Sequence, residues 1–156
     1  VPNRRTNPVA IAVAAVLGAD ALLHLYWATG ATWPASDERS LSYGVLGYDV
    51  SFAPPVVLPL AVLLLTAAGV VLARVRLSLN HRWGKLLQLG TLAVGIGMAA
   101  RGLAGIGWMM GLDVGAPDGS AFHWLNPIVY TPLCVALAVA CLHIARSRTE
   151  DVARVR

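Results

Sequence analysis

The stretch Pro55–Ala73, PVVLPLAVLLLTAAGVVLA, decides the class of this chain, because it carries one hydroxyl, Thr66, and no charge. A hydrocarbon core of about 30 Å is crossed by roughly 20 predominantly apolar residues at 1.5 Å each. Three further stretches meet that requirement, approximately Val9–Ala28, Leu86–Met110 and Ile128–Ala145. They lie in 156 residues that are 57% hydrophobic and 13% charged, with a mean hydropathy of +0.66, which leaves too little polar surface for a soluble domain. The sequence therefore predicts an all-α integral membrane protein, a four-transmembrane-helix bundle. Residues 1–146 form its single domain and 147–156 a polar cytoplasmic tail that frays. The first stretch shows no convincing small-residue cleavage site before Asp20 and His24, so it is read as a span of the mature protein.

Basic residues orient the spans, since cytoplasmic loops retain Lys and Arg. Arg4 and Arg5 precede the first span; Arg74, Arg76, Arg82 and Lys85 separate the second from the third; Arg146, Arg148, Arg154 and Arg156 follow the fourth. Asp37, Glu38, Asp49, Asp113 and Asp118 fall on the other side with Arg39 alone. The expected topology is N-in and C-in, with a short cytoplasmic turn around Ser78–Arg82. The pI near 9.6 then reflects insertion and gives no sign of nucleic-acid binding.

Two longer external connections hold the remaining aromatic residues. Thr29–Pro54 carries Trp33, Tyr43, Tyr48 and Phe52, and Leu112–Asn126 carries Phe122, His123 and Trp124. They read either as an interfacial belt or as a lid over a pocket. Cys134 and Cys141 stand about 10 Å apart along one helix and cannot bond to each other, so thiol exchange has no support. No H-E-x-x-H or comparable ligand spacing occurs, and neither a metal nor another cofactor is expected.

Chemistry is expected among ionisable groups inside the membrane, where a charge costs at least about 2.5 kcal/mol on insertion scales. Asp20 and His24 are i and i+4 on the first span, and Trp27 continues their stripe. By helix rise, Asp20 lies about 18 Å above Pro8, His24 about 24 Å, and Arg101 about 24 Å above Lys85 on the third span. The three can meet in the outer half of the bilayer, as a structural ion pair or as a site. Gly95, Gly97, Gly102, Gly105, Gly107 and Gly111 around Arg101 permit close packing and also leave room beside Arg101 and Trp108. On the fourth span Asn126, Tyr130 and Cys134 recur at i, i+4 and i+8 and are expected to share one inward face.

The segments LHLYWATGATWP at 23–34, ARGLAGIGWMMG at 100–111 and FHWLNPIVYTPLC at 122–134 together resemble a bacterial family of four-helix membrane proteins catalogued as domain of unknown function 3995. The resemblance implies the fold, a multi-pass location in the bacterial cytoplasmic membrane, and His24, Trp27, Arg101, Tyr130 and Pro132 as family positions. It implies no activity. The chain departs from the pattern at Asn126, where an acid is usual, and at Asp20, where one is not.

A buried acid beside a histidine and several aromatic faces suits acid-initiated carbocation chemistry on an isoprenoid. Asp20 or Asp49 is the expected acid and His24 or Arg101 its neighbour. Tyr26, Trp27, Trp108, Phe122, Trp124 and Tyr130, with Asn126, form the expected substrate wall. Membrane-embedded terpenoid cyclases share this logic by analogy of class, and the Ala, Val, Gly and Arg richness suits an actinomycete. The expected partners are a lipophilic small molecule and the bilayer; the sequence specifies no oligomeric state. The alternatives are a non-catalytic lipid-binding or accessory subunit, a small proton-coupled exporter, and a haem protein ligated by His24 and His123.

Overall fold

The computed structural model describes residues 7–77, 81–112 and 115–153, with backbone alone at 81 and 147–153. Arg4, Arg5, Asp113 and the core of the Ser78–Arg82 turn lie outside the described residues. All regular structure among the described residues is helical. The helices are α1 (Pro8–Trp27), α2 (Glu38–Leu46), α3 (Pro54–Arg76), α4 (His81–Met109), α5 (Phe122–Leu125), a π-helical turn (Asn126–Tyr130) and α6 (Thr131–Ala153). Four segments among these residues are long and apolar enough to cross a membrane: Pro8–Trp27, Pro54–Arg76, Arg82–Met109 and Phe122–Arg146.

Local chemistry sets the ends. Asn7 caps α1 by accepting the Ala10 N–H at 3.1 Å, and Pro8 follows where a missing N–H costs nothing. The helix expected to stop near Ala145 continues to Ala153, so the backbone of the polar tail is an extension of α6 as far as it is described.

Each long helix buries a narrow stripe. Ala10, Val13, Leu17 and Ala21 of α1 meet Leu64, Ala68 and Val71 of α3 and Leu137, Cys141 and Ile144 of α6. The opposite faces are apolar as well, with Leu22, Val62, Ile96 and Leu103 all more than three-fifths exposed. A helix greasy on every side is one for an apolar solvent. The cysteines are free, Cys141 buried and Cys134 half-buried.

The helices pair α1 on α3 and α4 on α6, and α3–α4 and α1–α6 seams close the ring, leaving α1 and α4 at opposite corners. Gly105 sets the α4–α6 approach, since a Cβ there would collide with Thr131 Oγ1 and stand 3.0 Å from Asn126 Oδ1. At the basic end, Arg74 of α3 and Gln88 of α4 both donate to the Ala145 carbonyl of α6 at 3.2 Å. Three helix ends are tied there by one acceptor.

The opposite end is roofed by α2, where the sequence predicts only a connection. Asp37 caps it through the Ser40 N–H at 2.8 Å, and Gly47 ends it in the left-handed region at φ 77°. Gly47 is required twice over, because a Cβ would also lie 3.0 Å from the buried Phe122 ring. Ser42, fully buried, donates to the Tyr48 carbonyl at 2.6 Å and accepts the Val50 N–H at 2.7 Å, folding the returning chain under the helix.

Candidate functional site

The roofed half of the bundle holds two polar and aromatic clusters. On α1, the His24 Nδ1–H donates to the Asp20 carbonyl at 2.8 Å, and the Asp20 carboxylate lies 3.4 Å from the same nitrogen. The i, i+4 spacing read from the sequence produces both contacts. His24 is buried and meets Trp27 edge-on at 5.1 Å between ring centroids. Trp27 in turn meets Phe52 at 5.5 Å and donates its indole N–H to the Trp33 carbonyl at 3.0 Å. Asp20 itself is not enclosed by the bundle, for its side chain is 48% exposed.

The second cluster surrounds Arg101 on α4. Its guanidinium carbon lies 4.8 Å from the Trp108 ring centroid and 5.8 Å from that of Tyr130. Trp108 is braced edge-on by Phe122 at 5.3 Å and Tyr48 at 6.3 Å. Tyr130 donates its hydroxyl to the Gly44 carbonyl of α2 at 3.2 Å, which fixes the roof to the wall. One guanidinium nitrogen, Nη1, is buried with no hydrogen-bond partner, and no carboxylate among the described residues comes within 4.0 Å of Arg101.

The expected meeting of Asp20, His24 and Arg101 is thus only partly made. Asp20 and His24 pair; Arg101 stands apart. Their depths agree, but α1 and α4 occupy opposite corners of the ring, and Tyr130 and Cys134 intervene within electrostatic range of both Arg101 and Asp20. Asp49, the other expected acid, lies half-exposed at the roof with its Oδ2 2.8 Å from Arg39 Nε. Tyr26 and Trp124 point outward at 42% and 55% exposure and join neither cluster.

Asn126, Tyr130 and Cys134, expected to share an inward face, each meet α4, at Gly105, Arg101 and Gly102 respectively. The π-helical turn adds a residue to the repeat, so the neighbour of Asn126 is Thr131, whose hydroxyl donates to Asn126 Oδ1 at 3.1 Å. Asn126, buried, donates to the Gly105 carbonyl at 2.9 Å, whereas Tyr130 turns toward Arg101 and α2. Sequence reasoning missed Thr131, and also Glu38, which accepts the Phe52 N–H at 2.7 Å and the Ser51 hydroxyl at 3.1 Å. Pro127 inside NPIVY marks an interrupted helix, and Asp37 with Ser40 marks a cap, so signals for both were present.

Two half-open hollows mark the surface of the bundle. One of about 220 Å³ is an apolar groove on the α4–α6 seam, lined by Leu92, Gly95, Ile96, Ala99, Val139 and others. The other, of about 80 Å³, lies between the end of α1, α2 and the start of α3. Neither touches Asp20 or Asp49. Among the described residues no group of three His, Cys, Asp or Glu side chains could hold a metal.

Fold and site together define an all-helical bundle with four helices suited to a membrane, one half packed with small apolar residues and the other lined by aromatic and ionisable side chains. The family model described as protein of unknown function DUF3995 matches residues 7–141, and the chain belongs to that family. No curated protein and no solved structure matches it.

Proposed function

We propose that this protein spans the bacterial cytoplasmic membrane with both termini inside, and that its roofed half binds a lipophile with an anionic head without transforming it. The excess of Arg and Lys at the Arg74 end supports the orientation. The buried, unpartnered Nη1 of Arg101 carries the binding reading. A guanidinium at membrane depth costs about 2.5–3.5 kcal/mol on insertion scales. A cation–π contact returns about 0.5–2 kcal/mol, and it leaves the planar donors of the guanidinium unused. An anionic head completes that set with charge-assisted bonds, while Trp108, Tyr130 and Phe122 supply its apolar surround.

Acid-initiated cyclisation fits this geometry less well. It needs an acid enclosed in an aromatic chamber, whereas Asp20 and Asp49 are each 48% exposed at the side chain. The binding reading is tested by purifying wild-type and Arg101→Gln protein in a mild detergent and identifying retained lipids by mass spectrometry. An anionic lipophile should be enriched on the wild type and at least about tenfold depleted in the variant, with partial retention in Arg101→Lys. Equal lipid profiles in wild type and Arg101→Gln would overturn it.

A further inference from the structure

We propose that the 80 Å³ cavity beneath α2 is a binding site for a primary ammonium group, separate from the Arg101 site. The rings of Trp27 and Phe52, at 73° to each other, line it together with Leu41, and Glu38 and Thr32 are polar side chains of its lining. The carboxylate is oriented in advance. Its Oε1 is held by the Phe52 N–H and the Ser51 hydroxyl, while Oε2 has no partner among the described residues. No cation among those residues neutralises it within 4.0 Å, because Arg39 next in sequence is engaged with Asp49.

The other polar groups select the sign of the ligand. The Trp27 indole N–H is spent on the Trp33 carbonyl, and the Thr32 hydroxyl donates to the Ala35 carbonyl at 3.3 Å. Both side-chain donors are therefore committed, leaving lone pairs on Thr32 and Glu38 and two π systems, an environment for a cation. Size selects among cations. The hollow, of about 80 Å³, suits a slim methylene-ammonium better than a trimethylammonium with four carbons. The ammonium could belong to an aminophospholipid headgroup or to a free amine, and the chemistry recognised is the same.

The test follows the indole ¹H–¹⁵N resonance of Trp27, assigned with Trp27→Phe, in phosphatidylcholine nanodiscs. Ethylammonium should shift it saturably, and tetramethylammonium should need at least a fivefold higher concentration. Glu38→Gln keeps the Oε1 acceptor but removes the charge, and should weaken ethylammonium at least tenfold. Ala31→Leu, which fills the cavity while keeping the Glu38 charge, should do the same while the other indole resonances stay in place. A shift already present in phosphatidylethanolamine nanodiscs assigns the headgroup as the source; one that appears only on adding the amine assigns the free molecule. A non-saturating shift, equal response to both cations, or an unchanged Glu38→Gln titration overturns the proposal.

Discussion

Two arginines sit inside the same bundle, each with one buried nitrogen that has no hydrogen-bond partner, Nε of Arg74 and Nη1 of Arg101, and they differ in what the rest of the guanidinium meets. Arg74, 5% exposed, donates to the Ala145 carbonyl, and Gln88 donates to the same oxygen. Arg101 lies among rings, and none of its nitrogens has an acceptor among the described residues. At the basic end a carbonyl accepts from the buried arginine; at the roofed end the carboxylate of Asp49 is engaged by the exposed Arg39, and none comes within 4.0 Å of Arg101 among the described residues. On the proposed binding reading, the donors that Arg101 leaves unused are the ones an anionic head would take, while Arg74 spends one of its own on helix packing.

The comparison breaks most directly on stability. Arg74→Met removes a hydrogen bond from a charged donor to the Ala145 carbonyl, which keeps Gln88 alone, so unfolding in detergent should lose about 1.5–3 kcal/mol. Arg101→Met removes a charge that has no protein acceptor to strand, and should fall within about 1 kcal/mol of wild type in either direction. Thermal or denaturant melts of the two variants side by side provide the measurement. Equal losses would mean that Arg101 is as structural as Arg74.

That difference between the two arginines is invisible in the sequence, and the reason is geometric. Helix rise gives depth, so Asp20, His24 and Arg101 are correctly placed in the same half, but it does not say which helices face each other across the ring. α1 and α4 turn out diagonal, and the ion pair that depth allows is not made. The four apolar helices are legible because length and apolarity alone specify them, as Pro54–Arg76 against the expected Pro55–Ala73 illustrates. Their ends are less so: His81–Lys85 is polar and outside any apolar window, yet it continues α4. The roof helix α2 has too short an apolar face to stand out, and its evidence lies in the capping residues Asp37 and Gly47.

A second, smaller effect sharpens the contrast from the wall that carries Tyr130. Thr131, Asn126 and the Gly105 carbonyl form a buried chain of two hydrogen bonds that holds the π-helical turn against α4. Thr131→Val keeps the shape and leaves Asn126 Oδ1 without its donor, for a loss of about 1–3 kcal/mol, and Thr131→Ser should recover much of it. If Arg101 depends on this wall for its aromatic neighbours, Thr131→Val also weakens lipophile retention, while Arg74→Met does not. A variant that loses stability and retains the ligand fully would separate the turn from the site.

The smallest effect concerns the roof, through which pH reaches one arginine and not the other. The Ser40 N–H, with the hydroxyls of Ser36 and Ser40, holds the exposed Asp37 carboxyl below the usual carboxylate range. A carboxyl depressed on folding contributes stability above its unfolded value, about 3.9, and loses it as pH falls through the lower folded value. Once corrected for intrinsic rates, amide exchange in α2 at Ser40 and Leu41 should therefore accelerate a few-fold as pH drops below about 4, and the Tyr130–Gly44 bond should loosen with it. Amides near Ala145, which Arg74 ties down, should hold their protection over the same range. Asp37→Asn supplies the control, since its amide caps the helix without titrating and should flatten the α2 profile. A profile in Asp37→Asn as steep as that of the wild type would place the acid sensitivity elsewhere in the roof.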